Sequence, residues 1–205
     1  MPKISEEKKK QRKTDILKTA LRLFSQKGYY ATSIDDITGE AGISKGLVYT
    51  YFKSKEEIFL ELAEHWNEFT ENPSFEDELE QALSEEMTLT EKLICVWDQT
   101  VRQWTEVNLN FARIKFEFWL ESSKNEALRE KMKEKARASL NVVEKIILKT
   151  RPELDSEIAA AFSRLWWSQI DGLAAYFVSY HILPPQDEMA QIRKIILHMC
   201  QYLDP

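Results

Sequence analysis

Gly28-Tyr-Tyr-Ala-Thr-Ser-Ile-Asp-Asp-Ile-Thr-Gly-Glu-Ala-Gly42-Ile-Ser-Lys-Gly-Leu-Val-Tyr-Thr-Tyr-Phe52-Lys-Ser-Lys-Glu-Glu-Ile-Phe-Leu-Glu-Leu62 is the stretch that decides the fold. It reads as two short helices joined by a tight turn, followed by a longer capped helix. Thr32 or Ser33 can cap the first of them, and Asp35 and Asp36 fall in its first turn, where the helix dipole favours negative charge. Ile34, Ile37 and Ala41 face inward, and Gly42 makes the turn. Ser44 opens the next helix, which runs to about Tyr51 with Leu47, Val48 and Phe52 inward and Lys45, Tyr49, Thr50 and Tyr51 outward. Ser54-Lys-Glu-Glu57 is a capping box for a further helix, whose apolar face carries Ile58, Phe59, Leu62, Ala63, Trp66 and Phe69.

Upstream, Ile16, Leu17, Ala20, Leu21 and Phe24 recur at helical spacing and predict a helix over about 11–27, ended by Gly28. The run Lys8-Lys9-Lys10-Gln11-Arg12-Lys13 before it reads as a basic arm, suited to phosphates or a minor groove. Downstream, Asn72-Pro73-Ser74 breaks the chain. Helical patterns follow near 75–86, 89–106, 108–122, 124–150, 154–182 and 187–203, with Thr88 and Glu91 as a second capping box. Ile114-Lys-Phe-Glu-Phe-Trp119 alternates like a strand but has no partner strand, so helix is expected. The fold class is therefore all-α: an N-terminal three-helix helix-turn-helix domain and a larger C-terminal helical domain, to which the resemblance described below adds ligand binding and dimerisation. The boundary is placed between residues 55 and 56, giving domains 1–55 and 56–205.

Charge supports that division. The chain carries a net −6, but residues 1–55 hold 12 Lys+Arg against 6 Asp+Glu and are net positive by 6. An overall pI of 5.3 argues against nucleic acid; a basic quarter on an acidic body restores it, because phosphate binding needs only a local positive field. With 43% hydrophobic residues the chain can build a core. It has no apolar run near the ~20 residues of a membrane span and no signal-peptide pattern, so a cytoplasmic location and no membrane partner are expected. Cys95 and Cys200 read as ordinary thiols, and His65, His181 and His198 are too scattered to hold a metal. No Ser/His/Asp order, glycine-rich phosphate loop or metal-spaced cluster supports an enzyme, and no cofactor is expected.

The residues of the opening stretch resemble the TetR-type (TetR/AcrR-like) bacterial transcription regulators. The resemblance covers about residues 12–65. It rests on Thr32-Ser33-Ile34, Ile37, Ala41-Gly42-Ile43-Ser44-Lys45-Gly46, Leu47-Val48-Tyr49, Tyr51-Phe52 and Lys55-Glu56. It implies that Thr32 or Ser33, Tyr49, Tyr51 and Lys55 touch the DNA backbone, while Lys45, Gly46 and Thr50 lie nearest the bases. Tyrosine at 51 departs from the histidine common there. The residue chemistry agrees. Ser44 caps the reading helix, Gly46 lets backbone approach DNA, Lys45 can meet a phosphate or a guanine edge, and Lys55 can offer amide and ammonium to a phosphate. The expected function is a sequence-specific DNA-binding transcription regulator, a repressor released from a double-stranded operator by a small lipophilic or cationic effector. The alternative is a helical protein-interaction module without specific DNA binding.

The C-terminal part carries the remaining expectations. Residues 154–182 are apolar on more than one face, which marks a buried or interfacial helix. Together with the stripe of the last helix they predict a homodimer interface of Trp167, Leu173, Phe177, Ile192, Ile196 and Met199, as the resemblance also implies. Large aromatics crowd residues 97–119. An effector pocket is expected among Trp97, Trp104, Phe111, Phe116, Trp119 and Trp166, with Asp98, Glu117 or Asp171 favouring a lipophilic cation.

Overall fold

A computed structural model describes residues 5–65, 75–102, 104 and 106–204; the side chains of 75–78 and 106–111 lie outside the description. All regular structure among the described residues is helical. The helices are α1 (Glu6–Lys27), α2 (Ile34–Ala41), α3 (Lys45–Tyr51), α4 (Lys55–Glu64), α5 (Phe75–Ala82), α6 (Leu89–Arg102), α7 (Glu106–Ser122), α8 (Glu126–Thr150), α9 (Ser156–Tyr180) and α10 (Gln186–Gln201). The stretch 114–119 is helical, within α7. Trp66, Phe69 and the break at Pro73, all expected from the sequence, lie outside the described residues.

The chain divides into two compact units. The first comprises residues 1–71 and 113–132, the second 72–112 and 133–205. The first unit thus contains α4 as well as α1–α3, together with a later stretch of chain, because α4 buries Ile58, Phe59 and Leu62 in the same core as α1. Phe59 stacks on Tyr29 at 4.1 Å, meets Phe24 edge-on at 5.8 Å and packs on Phe118 of α7 at 4.3 Å. Ile16, Leu21, Ile37, Val48 and Phe52 complete that core. Each such side chain contributes about 1.5–3 kcal/mol by leaving water.

Helix α1 begins at Glu6, not near residue 11. Ser5 accepts a hydrogen bond from the Lys8 amide at 3.3 Å, and Glu6 and Glu7 occupy the first turn. The basic run 8–13 is therefore helical, and its side chains are held at fixed angular positions instead of on a free arm. At the other end Gly28 has φ 86°, a left-handed conformation that glycine alone adopts without penalty.

The second unit is built from α5, α6, α9, α10 and the later part of α8. Its core contains Leu89, Leu93, Trp97, Val143, Ile147, Trp166, Phe177, Ile196, Cys200 and Leu203. The Thr88–Glu91 capping box is complete: the Thr88 amide donates to the Glu91 carboxylate at 2.8 Å, and the Glu91 amide to Thr88 Oγ1 at 3.2 Å. Arg193 of α10 meets Asp98 of α6 with two bonds of 2.7 and 2.8 Å. Cys95 and Cys200 are free thiols, and burial pushes the Cys200 thiol up to about 12. Of the expected dimer residues, Phe177 and Ile196 are 1% and 2% exposed within their own chain. Their apolar surface is already covered within their own chain, so they are core residues and not part of a free dimer face. Trp167, Leu173, Ile192 and Met199 are only partly covered.

Candidate nucleic-acid interface

The turn between α2 and α3 follows from two caps and one glycine. Ser33 accepts from the Asp36 amide at 3.0 Å, and Asp36 accepts from the Ser33 amide at 2.8 Å, a reciprocal capping box. Bonds from Ser33 first, and then the nearby Lys27, hold the Asp36 carboxyl down at about 2. α2 ends at Gly42, whose φ of 63° reverses the chain while the Ile43 amide returns to the Thr38 carbonyl at 3.1 Å. Ser44 then caps α3 by accepting from the Leu47 amide at 3.3 Å. Val48 is fully buried and Leu47 half-buried, so one face of α3 is anchored in the core.

The opposite face carries the expected reading residues. Ser44, Lys45, Gly46, Tyr49 and Thr50 are all exposed, and Tyr51 is half-exposed. Lys45 is paired with Asp35 at 2.8 Å, a contact that raises its pKa. Exposed pairs of this kind are worth little and give way readily to a phosphate. Thr50 donates its hydroxyl to the Gly46 carbonyl at 3.0 Å, leaving its oxygen to accept. A Cβ at Gly46 would meet nothing within 4 Å of its own chain, so packing does not require glycine there.

Two expected contacts are placed differently. Thr32 is 1% exposed and donates its hydroxyl to the Gly28 carbonyl at 2.8 Å. Its side chain ties the α1–α2 loop together, and Ser33 alone of that pair reaches the surface. Lys55 sends its ammonium inward, donating to the carbonyls of Tyr29 and Thr32 at 2.7 Å each, with the Tyr29 ring 4.3 Å away. Burial lowers its pKa. The ammonium is thus committed to the fold, while the backbone amide, in the first turn of α4, stays unpaired within the helix. Next to Ser54, the Glu57 carboxylate accepts from the Lys53 amide, one residue before the expected capping-box partner.

The same loop carries a contact with no sequence signal. The Tyr29 amide donates to the Glu117 carboxylate of α7 at 2.7 Å, and a Cβ on Gly28 would stand 2.9 Å from Glu117 Oε1. Burial raises the pKa of Glu117 despite that bond.

The positive field is smaller than the count of basic residues suggests. Arg22 pairs with Glu40, Lys27 with Asp36 and Lys13 with Glu61. Lys8, Lys10, Arg12, Lys18 and Lys53 are exposed and form no ion pair among the described residues. Of these, Lys18 and Lys53 were not singled out by the sequence. Only tertiary pairing decides which basic residues keep a free charge.

The expected effector residues do not form one group. Trp97 meets Trp104 and Trp166 at 6.4 Å each, all in the second unit. Phe116 and Trp119 meet one another at 5.5 Å in the first unit. The side chain of Phe111 lies outside the description. The acids on which a cationic ligand depended are engaged elsewhere: Asp98 by Arg193, Glu117 by the Tyr29 amide, and Asp171 within the chain. No group of three or more potential metal ligands is found among the described residues, and none of the described helices is long and apolar enough to cross a membrane.

Residues 16–62 match the family model of bacterial regulatory proteins of the tetR family. The chain is 48% identical over 56 residues to the HTH-type transcriptional regulator YerO of Bacillus subtilis, covering 27% of this chain and 19% of that protein. It is 32% identical over 82 residues to the fatty acid metabolism regulator protein of Bacillus subtilis, covering 40% of this chain and 39% of the other. These matches therefore span well under half of either relative. The crystal structure of the Bacillus subtilis transcriptional regulator FadR with stearoyl-CoA has a similar fold over 91% of this chain and 96% of that one, with a TM-score of 0.67 at 21% identity. Through residues 16–62 the chain is similar to the tetR family of bacterial regulatory proteins.

Proposed function

We propose that this chain is a sequence-specific DNA-binding transcription regulator, a repressor released from its operator by a small lipophilic effector. One observation carries the reading. A doubly capped turn at Gly42 presents Lys45, Gly46, Tyr49 and Thr50 on the free face of a helix whose other face is locked by Val48. A recognition helix needs that combination of rigid support and a small, polar leading edge. DNA reading is assigned to residues 1–55, and effector binding and dimerisation to 56–205.

A homodimer supplies the two-fold symmetry for half-sites about 34–36 Å apart. The surface that suits it is the uncovered side of α9 and α10, where Ile158, Leu165, Tyr176, Tyr180, Ile195 and Tyr202 are exposed. Glu157, Ala160, Ala161, Arg164, Leu165 and Ser168 border an open groove on α9, and its small alanines suit close helix approach. A long lipophilic effector is consistent with the aromatic interior of the second unit and with the similar fold of FadR, which holds stearoyl-CoA.

The test is fluorescence anisotropy with duplex DNA from upstream of the gene, against a scrambled duplex, across a salt series. The reading requires preference for the upstream DNA by about a thousandfold or more and a steep fall in affinity with salt. Equal, weak binding to both duplexes would instead favour a helical interaction module.

A further inference from the structure

Among the described residues, three buried side-chain polar atoms have no hydrogen-bond partner: Thr90 Oγ1, Ser163 Oγ and Trp166 Nε1. Two of them stand three residues apart on α9, a spacing that brings side chains to one face of a helix. That face is interior, since Ser163 is 0% and Trp166 1% exposed. Ser163 is also the one buried polar residue of the second unit among the described residues. Buried indole N–H groups normally find an acceptor, and even the adjacent, only partly buried Trp167 donates to the Ser139 carbonyl at 2.7 Å.

The surroundings define what could satisfy the pair. Phe162 stacks on Trp166 at 6.0 Å, Trp97 lies edge-on to it at 6.4 Å, and Trp104 bridges Trp97 and Phe177 at 6.4 and 5.9 Å. Trp104 is partly exposed and forms the accessible side of this cluster. No charged side chain is buried among the described residues. An indole N–H only donates, and a serine hydroxyl can donate beside it. A ligand cation has no acceptor to offer them, and a carboxylate would enter without a counter-charge. A neutral carbonyl on an apolar skeleton fits both the donors and the walls.

We infer that Ser163 and Trp166 are the polar end of an effector site inside the second unit, and that its ligand is an apolar molecule bearing a neutral carbonyl oxygen that accepts from Trp166 Nε1 and Ser163 Oγ. This rests on the reading of the chain as an effector-released regulator and names the chemical class of that effector. It also replaces the lipophilic cation expected from the sequence.

The experiment titrates the full chain with decan-2-one, decane and decyltrimethylammonium, by calorimetry and by shift of Tm. Trp166→Phe, which removes the N–H together with part of the ring, is expected to lower the ratio of decan-2-one to decane affinity about tenfold or more, through the loss of one buried hydrogen bond. Ser163→Ala is expected to narrow the same ketone-to-alkane ratio and to hold or raise the ligand-free Tm, because it removes an unpaired polar atom; should Trp166→Phe fail to fold, this variant decides. The inference is overturned if neither variant changes the ratio, if decyltrimethylammonium binds more tightly than decan-2-one, or if none of the compounds binds. Operator binding measured on the same preparations separates the two readings. A chain that binds its upstream DNA but shows no ketone preference keeps the regulator reading and loses this one. A chain with the preference but no DNA binding does the reverse.

Discussion

Gly46, Lys55 and Asp36 show how single residues in one motif divide their work. Gly46 has helical backbone and open space around its missing Cβ, so nothing within the chain requires its small size, and the proposed approach to DNA is what would. Gly46→Ala should stabilise the protein by about 0.5–1 kcal/mol through helix propensity and weaken operator binding, as read by urea denaturation and anisotropy on one preparation. Lys55 does the opposite job. Its ammonium donates to two loop carbonyls, so Lys55→Met should cost about 2–3 kcal/mol of stability, and the loss of DNA binding should follow the loss of fold. Asp36 is a pH marker for the α2 cap. Its folded pKa is depressed to about 2, so the stability it contributes is present above its ordinary value near 4 and is lost as pH falls from there toward 2. Asp36→Asn should therefore flatten the stability profile across that window, measured by denaturation midpoints at stepped pH.

At the scale of elements, α3 is held from one side and offered from the other. Lys45→Ala and Tyr49→Ala remove exposed side chains only, so both should leave Tm within a few degrees while lowering operator affinity. The lysine change should also reduce the slope of affinity against salt by about one ion. If both variants bind as the unmodified chain does, the assignment of α3 residues fails. Gly42→Ala acts on the turn itself. A side chain at φ 63° costs about 1–2 kcal/mol, and the same change misdirects α3, so stability and DNA binding should fall together. Much of this level was legible in the sequence. Ser33, Ser44, Ser54 and the Thr88–Glu91 pair are local devices, fixed by residues three or four apart, and they appear where their spacing puts them. α1 starts earlier than its apolar face implies, because Ser5 caps it and Glu6 and Glu7 fill its first turn well before the first buried residue, Ile16.

For the whole molecule, the proposed dimer depends on which apolar residues of α9 and α10 remain uncovered within one chain. Leu165, Tyr176 and Ile195 are exposed, whereas Phe177 and Ile196 are spent inside the chain. Leu165→Asp with Ile195→Asp should shift the protein from dimer to monomer in size-exclusion chromatography with light scattering and weaken operator binding. Phe177→Ala should instead cost about 3–5 kcal/mol of stability through a core cavity. The sequence could not separate these two sets, because α9 is apolar nearly all round and periodicity then carries no direction. What the sequence determined by itself was local: the helices, their caps, the turn at Gly42 and the outward face of α3, all set by spacing within one or two turns. Tertiary structure decided the rest. It sent the Lys55 ammonium inward, paired Arg22, Lys27 and Lys45 with acids of α2, held Tyr29 with Glu117, and left Ser163 and Trp166 buried without partners. Each of these depends on which groups, distant in sequence or on separate helices, are brought within reach of one another, and that is set only when the helices pack.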